Sequence, residues 1–452
     1  MILLLDVLLI YPFFKSRFDN SPFRFPPLGI GYMASVLRHE GLTVSVLDCT
    51  FQDRRGIVKK IGSLCPRIVG IYSMYSMENE ALQLARRIRK MAELLVAGGP
   101  LPTVEPSRFL DDFDVVVVGE AERTMLDLAK KFLANQDFKD VHGIVFKNGS
   151  CIHQTPIRKR IEDLDSVPFP ARDLFENNSY KKYHRTRFGY GMASMISSRG
   201  CPFECDFCSR PVFGYSLRSR SPANIVDEME LIVSLGYDMV WFADDCFTIS
   251  KDHVMKICDE LIHRRVKVGW QCLSRVDALD FEMAKRMKEA GCQRIYFGIE
   301  SGDERTLKTM RKHIDLASAR TSVENATSAG IQTGAFFILG YPGEDDEAIL
   351  NTVRFATNLP LDYLSFTFPY PIPGTGLHSR VKNATRDHGS HRTRLISHSL
   401  TYDSEFSELK LKFAIVKATI QHEIRKYLGE KWYRLLGRPF ERLTDSVFKK
   451  MS

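Results

Sequence analysis

The sequence predicts an α/β protein with two parallel-sheet units in series and a small helical segment at the end. Apolar runs of strand length alternate with helical patterns in the first part of the chain, and a second alternating series begins near Ala193. Such alternation is typical of parallel sheets, because each parallel connection needs a crossover, usually a helix. Between the two series, "RIEDLDSVPFPARDLF" at 160–175 is rich in turn residues and has no clear period, which predicts a linker.

Five apolar runs predict the strands of the first unit. They lie at residues 3–11, 43–47, 68–73, 94–97 and 115–118. Helical patterns between them, at 28–39 and 78–92, predict a doubly wound parallel sheet, in which ligands bind at the carboxyl ends of the strands. The Asn148-Gly149 pair in "DVHGIVFKNGSCIHQ" is typical of a tight hairpin turn and predicts a β-rich tail to this unit.

Six later apolar runs predict a partial (β/α)6 barrel. They lie at residues 193–197, 239–243, 267–272, 294–299, 333–339 and 363–368. Helical patterns fit between them at 223–235, 252–263 and 281–290. Active sites of parallel barrels form at the C-terminal ends of the strands. Beyond the barrel, "RVKNATRDHGSHRTRLISHS" is basic and turn-rich, and 409–428 predicts a helix.

These patterns predict four regions with defined bounds. They are a first domain at 1–150, a linker at 151–190, a barrel at 191–380 and a C-terminal helical domain at 381–452. The chain has 452 residues, which is enough for domains that each bury a core.

Charge and composition exclude several classes of function. A net charge of +8 is mild for this length, and no arginine-rich tail or RNA-type aromatic motif accompanies it, so we expect no nucleic-acid partner. The apolar start "MILLLDVLLIYPFF" lacks a basic leader and a cleavage site and is too short to span a bilayer. We therefore expect a cytoplasmic protein without a membrane partner, in which the scattered cysteines are reduced.

The stretch "SSRGCPFECDFCSR" at 197–210 places Cys201, Cys205 and Cys208 within eight residues. Structural zinc takes four ligands, usually as two pairs, and here a second pair is missing; His184 could complete the set but has no zinc-like spacing. A redox pair of Cys205 and Cys208 would leave Cys201 unexplained. An iron–sulfur cluster explains all three thiolates, and a cube with three protein ligands keeps one iron open for catalysis.

The spacing C-x3-C-x-aromatic-C, with Phe207 as the aromatic residue, resembles the signature of radical S-adenosylmethionine (SAM) enzymes. The resemblance implies a [4Fe–4S] cluster on the three cysteines, with SAM chelating the fourth iron and giving a 5′-deoxyadenosyl radical on reduction. It also implies that Phe207 shields the cluster. The predicted six-unit barrel is the fold of that family.

Three further segments at barrel strand ends are similar to the SAM-binding segments of this family: "WFADD" at 241–245, "FGIESG" at 297–302 and "FFILGYPGE" at 336–344. Arg275, in "LSRVD" at the end of the third strand, is a candidate partner of the SAM carboxylate, because a guanidinium binds carboxylates bidentately. The residues implied to contact SAM, besides Phe207, are Asp244, Asp245, Arg275, Glu300, Ser301, Ile338 and Gly340. Helix capping by the aspartates, a simple salt bridge at the arginine and core packing in the last segment are the competing explanations.

The first unit lacks G-x-G-x-x-G after its first strand, which disfavours a dinucleotide. Instead "FPPLGIGYMASVLRHEGLTVSVLD", "GGPLPT" and "VVVGEAERT", with the linker after them, resemble cobalamin-binding radical SAM enzymes over about residues 1–380. The resemblance implies that the loops after strands three to five cradle cobalamin. Their candidate residues are Ser73, Met74, Tyr75, Ser76, Gly98, Gly99, Pro100, Thr103, Gly119, Glu120 and Thr124. Glycine turns of any doubly wound sheet would also explain the glycines.

Two departures concern the lower face of the cobalt. Cobalamin proteins with a histidine ligand carry D-x-H-x-x-G after the first strand, whereas "YPFFKSRFDN" contains no histidine. Leu101 lies where many relatives have the histidine of G-G-x-H-P. We therefore expect no histidine on cobalt, and the lower face would meet Met74, Tyr75 or water.

The resemblance implies a cobalamin-dependent C-methyltransferase that uses the deoxyadenosyl radical and methylcobalamin to methylate an unactivated carbon. An electron donor such as ferredoxin or flavodoxin is implied, and the substrate is a protein or a small molecule. The compact chain slightly favours a protein glutamine of methyl-coenzyme M reductase. Three alternatives stay open: a small-molecule methylase, a cyclase or rearrangement enzyme, and a cobalamin- or redox-sensing protein with a structural cluster. The stretch "FTFPYPIPGTGL" at 366–377 is expected to border the substrate cavity.

Overall fold

A computed structural model of the chain describes residues 5–14, 21, 24–381 and 399–451. Residues 3–4 of the predicted first strand and most of the basic segment after the barrel lie outside the described residues. Within these ranges, no helix is both long and apolar enough to cross a membrane.

Seven strands form the first sheet. They are β1 (Leu5–Tyr11), β2 (Val44–Asp48), β3 (Pro66–Tyr72), β4 (Leu94–Gly98), β5 (Val115–Val117), β6 (Ile144–Asn148) and β7 (Cys151–Gln154). Their order is β2-β1-β3-β4-β5-β6-β7, with the first five parallel and β6 and β7 added as an antiparallel hairpin. The five parallel strands and the hairpin at Asn148-Gly149 confirm the predictions.

Helices cover both faces of this sheet. They are α1 (Leu28–His39), α2 (Arg54–Leu64), α3 (Glu78–Ile88), α4 (Pro100–Val104) and α5 (Ala121–Leu133). In β1, Leu8 and Ile10 pack into one core while Val7 and Leu9 pack into the other. A strand buried on both faces is therefore apolar along its length, which is why the start of the chain is so hydrophobic.

The predicted linker at 151–190 contains regular secondary structure. Strand β7 belongs to the first sheet, so that sheet continues past the predicted boundary at residue 150. Helix α6 (Asn177–Phe188) then follows, and the hydroxyl of Tyr180 donates to Asp48 at the end of β2, at 2.5 Å. Polar residues dominate α6, so its pattern does not show a helix.

The second unit is a six-stranded parallel sheet that curves as an open barrel. The strands of this unit are β8 (Met192–Met195), β9 (Ser198–Arg199), β10 (Arg218–Ser219), β11 (Met239–Phe242), β12 (Gly269–Ser274), β13 (Cys292–Glu300), β14 (Gln332–Ile338) and β15 (Tyr363–Thr367). The sheet order is β8-β11-β12-β13-β14-β15, and β9 and β10 form a separate antiparallel pair. The six predicted βα units are confirmed.

Helices α7 to α13 connect or follow these strands. They are α7 (Pro222–Ser234), α8 (Lys251–His263), α9 (Phe281–Glu289), α10 (Glu304–Thr309), α11 (Leu316–Ser328), α12 (Asp346–Thr357) and α13 (Gly376–Arg380). Each begins at a serine, threonine or aspartate whose side chain accepts a backbone N–H. Such caps stabilise a helix by about 1 kcal/mol and fix where each strand-end loop stops.

Two C-terminal helices pack on the barrel. They are α14 (Glu408–Trp432), which bends at Gly429, and α15 (Arg438–Lys450). Leu411, Ala414, Ala418 and Phe448 are buried in the same core as the barrel strands. The C-terminal helices therefore complete the barrel core.

Candidate functional site

The three clustered cysteines lie in the loop between β9 and β10, at the C-terminal side of the barrel. Cys201 is buried, while Cys205 and Cys208 are half-buried. The loop folds on itself, since Cys201 N donates to Gly214 O (3.2 Å) and Cys208 N donates to Cys205 O (3.1 Å). Gly200 has φ +87°, and a Cβ there would overlap the carbonyl oxygen of Ser216. This turn thus requires glycine directly before the first cysteine.

Asp206, inside the motif, anchors the loop to the far side of the barrel. Its buried carboxylate accepts the hydroxyl of Tyr341 at 2.7 Å and pairs with Arg380 at 3.1 Å. Its backbone N–H donates to Met310 O (2.9 Å), and its carbonyl accepts from Leu377 N (3.0 Å). The cysteine loop is therefore fixed by groups that follow β13, β14 and β15.

Two phenylalanines of the loop pack against the barrel. Phe207 packs on a small apolar group that includes Ile338. The Phe203 ring lies under the Arg275 guanidinium, with 3.6 Å from the guanidinium carbon to the ring centroid. Phe207 is thus in position to shield one side of the thiols, and its role toward a cluster stays a prediction.

All ten cysteines are free thiols. The pKa of Cys208 is raised to about 11, mainly by burial and also by Asp245 and the other two cysteines of the loop, while Arg210 opposes the shift. In the described ranges, no three histidine, cysteine or carboxylate side chains are grouped so as to hold one metal ion. The His184 ring packs against Phe25, 5.1 Å between ring centroids, and burial lowers the pKa of His184 to about 4.

The adjacent aspartates after β11 have different surroundings. Asp244 is buried and accepts from Ser197 N (3.1 Å), Ser197 Oγ (2.7 Å) and Ser198 Oγ (2.5 Å), so it holds the segment that leads to the cysteines. Asp245 lines a cavity beside Arg210. Neither caps the next helix, because Ser250 does. Of the two, Asp245 is the one exposed toward a ligand.

Most hydrogen-bond donors of the Arg275 guanidinium are bonded to neighbouring protein groups. It forms a bidentate pair with Asp277 (2.9 and 2.8 Å) and donates to the carbonyls of Lys312 (3.2 Å) and His313 (3.3 Å). Its Nη1 is buried and has no hydrogen-bond partner. One donor is therefore left for a ligand carboxylate or carbonyl.

Glu300 ends β13 with a positive φ of 73°, unusual for a residue with a side chain. It pairs with buried Lys312 at 3.0 Å between Oε1 and Nζ. Burial opposes the charge on Lys312, yet the attraction of Glu300 and Cys205 outweighs burial and raises the pKa of Lys312. Ser301, next in the chain, is fully buried, and its hydroxyl forms a hydrogen bond of 2.9 Å with Thr352 Oγ1. Glu300 thus lies beside the cysteine loop, whereas Ser301 joins β13 to α12.

Gly340, after β14, is held on three sides. Its N–H donates to Glu344 Oε2 (2.7 Å), and its carbonyl accepts the hydroxyl of Tyr402 (2.6 Å). Its φ is +84°, and a Cβ would lie 2.6 Å from Leu411 Cδ1. Burial raises the pKa of Glu344 to about 8. The loop at Gly340, which is implied to contact SAM, is therefore braced by Glu344 within the loop and by Tyr402 and Leu411 of the C-terminal region.

The loops after β3, β4 and β5 support one another. Ser73 N donates to Gly98 O (2.8 Å), and a Cβ on Gly99, whose φ is +117°, would lie 2.5 Å from Ser73 O. Thr103 Oγ1 donates to Gly99 O (2.8 Å) and accepts from Gly119 N (3.1 Å). The glycines and Thr103 therefore form one rigid shelf at the end of the sheet.

The remaining predicted cobalamin residues divide into those beside the shelf and those below it. Met74 is exposed and Ser76 half-buried, while Tyr75 packs edge-on against Tyr370 after β15, at 5.5 Å between ring centroids. Leu101 and Thr124 are buried, the latter donating to His142 O at 3.2 Å. The stretch after β15 thus faces the first unit.

Glu120 lies between the units. Its buried carboxylate pairs with Arg218 of β10 and accepts from Ile161 N at 2.9 Å. It also lies 3.7 Å from Arg199 of β9. Its oxygens are therefore taken up by the barrel and the connecting segment, which the sequence did not indicate.

One cavity of about 340 Å³ joins the two sets of loops. The shelf lines one side through Gly98, Gly99, Pro100, Gly119 and Glu120. The loop after the cysteines lines the other side through residues 209–213, together with Asp245. Deeper in, apolar residues of β1, β3, β4 and β5 and of helices α1 and α5 line it. Among the residues that the structure describes, none of those lining the cavity is a histidine.

Sequence reasoning missed several residues that position this site. They are Arg199, Asp206, Arg218, Lys312, Tyr341 and Glu344. Asp206 lies inside the motif and Glu344 closes the quoted "FFILGYPGE", so their positions were available as a signal. The arginines and Lys312 act through partners that are distant in sequence, which one sequence does not reveal.

Comparison with family models finds two matches in the order of the two units. Residues 15–129 match the B12 binding domain, and residues 195–356 match the radical SAM superfamily.

Individual proteins are also similar to this chain over most of its length. An uncharacterized methyltransferase of Pyrococcus horikoshii is 33% identical over 364 residues, covering 78% of this chain and 77% of the relative. The anaerobic magnesium-protoporphyrin IX monomethyl ester cyclase of Cereibacter sphaeroides is 28% identical, covering 83% of this chain and 64% of the relative. The radical SAM methyltransferase TsrM of Kitasatospora setae, solved with cobalamin and a [4Fe–4S] cluster, superposes with a TM-score of 0.70 at 19% identity, covering 82% of this chain and 73% of TsrM. At this sequence identity, the similarity to TsrM is evidence for a shared fold only.

Proposed function

We propose that this chain, which belongs to the cobalamin-dependent radical SAM methyltransferase family, methylates an unactivated carbon of its substrate. It is an enzyme of the methyltransferase type, and its cofactors are a [4Fe–4S] cluster, SAM and cobalamin. The observation that carries the proposal is the cavity of about 340 Å³ with the glycine shelf on one side and the cysteine loop on the other. A methyl carrier and a radical source must meet at one carbon, and this cavity opens to both loops.

The residues present fit these groups. Cys201, Cys205 and Cys208 share one loop, and each thiolate of a cluster binds a different iron, so the three need not converge on one point. At Gly98 and Gly119 a Cβ would meet nothing within 4 Å, so open space lies over the shelf for a flat ligand. For SAM, we propose that the buried, unpaired Nη1 of Arg275 receives the carboxylate.

When bound, the three groups supply electron transfer and methyl transfer. The chain supplies position and a dry site. Asp206 and Asp244 hold the cysteine loop from two sides, and the brace at Glu344 fixes the loop at Gly340. The lining of the cavity is mostly apolar, which would limit the access of water to bound reactive groups and so protect them from side reactions.

We further propose that no histidine binds the lower face of the cobalt. The described residues that line the cavity include no histidine, and Leu101 is buried in the sheet core. Met74 is exposed in the loop after β3, and its side chain, that of Tyr75 or a water is the proposed neighbour of the metal. Without a histidine from this chain, the bound cobalamin would be set up to give away its methyl group. A nitrogen splitting in the cobalt(II) EPR spectrum that disappears when a histidine is replaced would rule this out.

For the substrate, we propose a protein side chain, and the glutamine of methyl-coenzyme M reductase is the first to test. The support is the compact C-terminal region, in which α14 and α15 pack on the barrel. Methylation of a small molecule is the alternative within the same reaction. A second function, ring closure, is favoured by the likeness to the Cereibacter sphaeroides cyclase.

Product analysis separates these functions. The holoenzyme is incubated with SAM, a flavodoxin reducing system and either a glutamine-containing peptide of the reductase or a small-molecule cell extract. Methylation adds one CH2 unit to a substrate mass, and deuterated SAM carries its label into that product. Ring closure removes hydrogen and transfers no label. Label in neither fraction, with deoxyadenosine formed, would contradict the methylation proposal.

A further inference from the structure

Arg199 reaches from the barrel into the first unit. It lies two residues before Cys201, and its Nη2 pairs with Glu122 Oε1 at 2.7 Å. Its Nη1 lies 3.7 Å from Glu120 Oε2. Both carboxylates lie where β5 passes into α5, directly after Gly119 of the shelf. The three charged side chains are each at least nine-tenths buried.

Aromatic rings enclose the same guanidinium. Its carbon lies 5.3 Å from the ring centroid of Tyr32 on α1 and 5.1 Å from that of Phe213. Tyr32 belongs to the first unit, whereas Phe213 belongs to the loop that carries the cysteines. A planar guanidinium between two rings and two carboxylates has little freedom to move.

Arg218 forms a second set of hydrogen bonds between the barrel and the first unit. It pairs with Glu120 and donates from Nη1 to Ile161 O at 2.6 Å. Because Ile161 N donates back to Glu120, the connecting segment is tied into the same group. The first unit, the connecting segment and the strand pair beside the cysteines therefore share one set of hydrogen bonds.

A buried ion pair is weak support for stability, because desolvation of its charges offsets most of their attraction. The directional hydrogen bonds of such a pair nevertheless fix the relative position of the groups that it joins. These bonds lie in the wall of the cavity, which Glu120, Glu122, Arg199 and Phe213 all line. The two loops joined here are those proposed to hold cobalamin and the cluster.

We propose that Arg199, Glu120 and Glu122 form a clamp that sets the separation of the cobalamin loops from the cluster cysteines. The clamp rests on the proposed function, since it presumes that both groups bind where the loops meet. Arg199 is a positioning residue, because its Nη2 is hydrogen-bonded to Glu122 and its guanidinium lies between two rings, while Nη1 is 3.7 Å from Glu120 and makes no hydrogen bond.

The test measures the separation directly. Wild type, Arg199→Lys and Glu122→Gln are reconstituted with the cluster and cobalamin, and loading is measured by iron content and absorbance. Both metals are brought to paramagnetic states, and pulsed EPR gives the distribution of cobalt–cluster distances. Loss of one charge-assisted hydrogen bond lowers the ratio of clamped to unclamped molecules about tenfold. We expect loading near that of wild type and a clearly broader distance distribution in both variants.

Glu228→Gln is the matched control. Glu228 is fully buried and pairs with Arg172 at 2.5 Å and with Arg220, but these pairs join the connecting segment to the barrel alone. We expect lower stability and an unchanged distance distribution. A wild-type distribution in both clamp variants, or equal broadening in the control, overturns the clamp. A wild type that loads neither group overturns the proposed function instead, and the loading measurement distinguishes the two.

Discussion

Replacing Asp244 by alanine is expected to loosen the segment that leads to the cysteines. Asp244 is 2% exposed, and its carboxylate accepts three hydrogen bonds, from Ser197 N, Ser197 Oγ and Ser198 Oγ. These bonds tie the end of β11 to the strand β9 that precedes Cys201. Alanine removes every acceptor at once.

The expected loss in the free energy of unfolding follows from the three buried donors that lose their acceptor. An unsatisfied buried donor costs about 1–3 kcal/mol, so three give a range of about 3–9 kcal/mol. Burial raises the pKa of Asp244, so its removal also relieves a desolvation cost, and serine hydroxyls rotate toward other acceptors. We therefore expect the lower part, about 3–5 kcal/mol, which is a large fraction of the stability of a domain.

Urea unfolding of the cluster-free protein measures this loss, and iron content after anaerobic reconstitution measures the effect on the site. We expect the alanine variant to unfold at lower urea and to bind less iron per chain. Asp280→Ala is the control: Asp280 caps α9 by accepting Met283 N (2.9 Å), so its loss costs about 1 kcal/mol and leaves iron loading unchanged. An Asp244→Ala protein with wild-type stability and wild-type iron content would refute the reasoning.

Three further variants test the bracing of the site. Tyr341→Phe removes the 2.7 Å bond to Asp206, so iron loading should fall and urea unfolding should show a loss of about 1–2 kcal/mol; unchanged loading would contradict this. Gly340→Ala should lower the thermal midpoint, because its Cβ would overlap Leu411. Glu344→Gln should remove a pH dependence: the folded state holds a proton on Glu344 up to about pH 8 and the unfolded chain only to about 4.5, so wild-type stability falls as pH rises between these values. An equal slope in the glutamine variant would show that other groups cause it.

Periodicity was sufficient to predict the parallel strands of the two large sheets, because these strands carry apolar runs bounded by glycines or helix caps. The antiparallel pair β9 and β10 was not predicted, because each strand has only two residues and shows no period. Helix α6 was missed because its residues are mostly polar and it is held by single contacts such as that of Tyr180 with Asp48. Such contacts join residues more than a hundred positions apart and leave no local pattern.

The candidate site was predictable where residue type and spacing carry the chemistry. The cysteine trio and the glycine shelf are local patterns, and the structure brings the shelf and residues 209–213, which directly follow the trio, to one cavity. Glu120 shows the limit: it lines the cavity, as its place after a glycine suggested, but its ion pair with Arg218, which is distant in sequence, left no local pattern. Ser301 is similar, because its hydroxyl is shared with Thr352 of α12.

The central claim is that one cavity serves two reactive groups, and anaerobic reconstitution tests it most directly. The protein is loaded with iron, sulfide and cobalamin, and then given SAM and a one-electron reductant. We predict absorbance from both the cluster and the corrinoid, with deoxyadenosine and S-adenosylhomocysteine formed, and loss of deoxyadenosine in Cys208→Ala while cobalamin stays bound. A protein that loads both groups yet forms neither product, or a Cys208→Ala variant that still forms deoxyadenosine, would contradict the account.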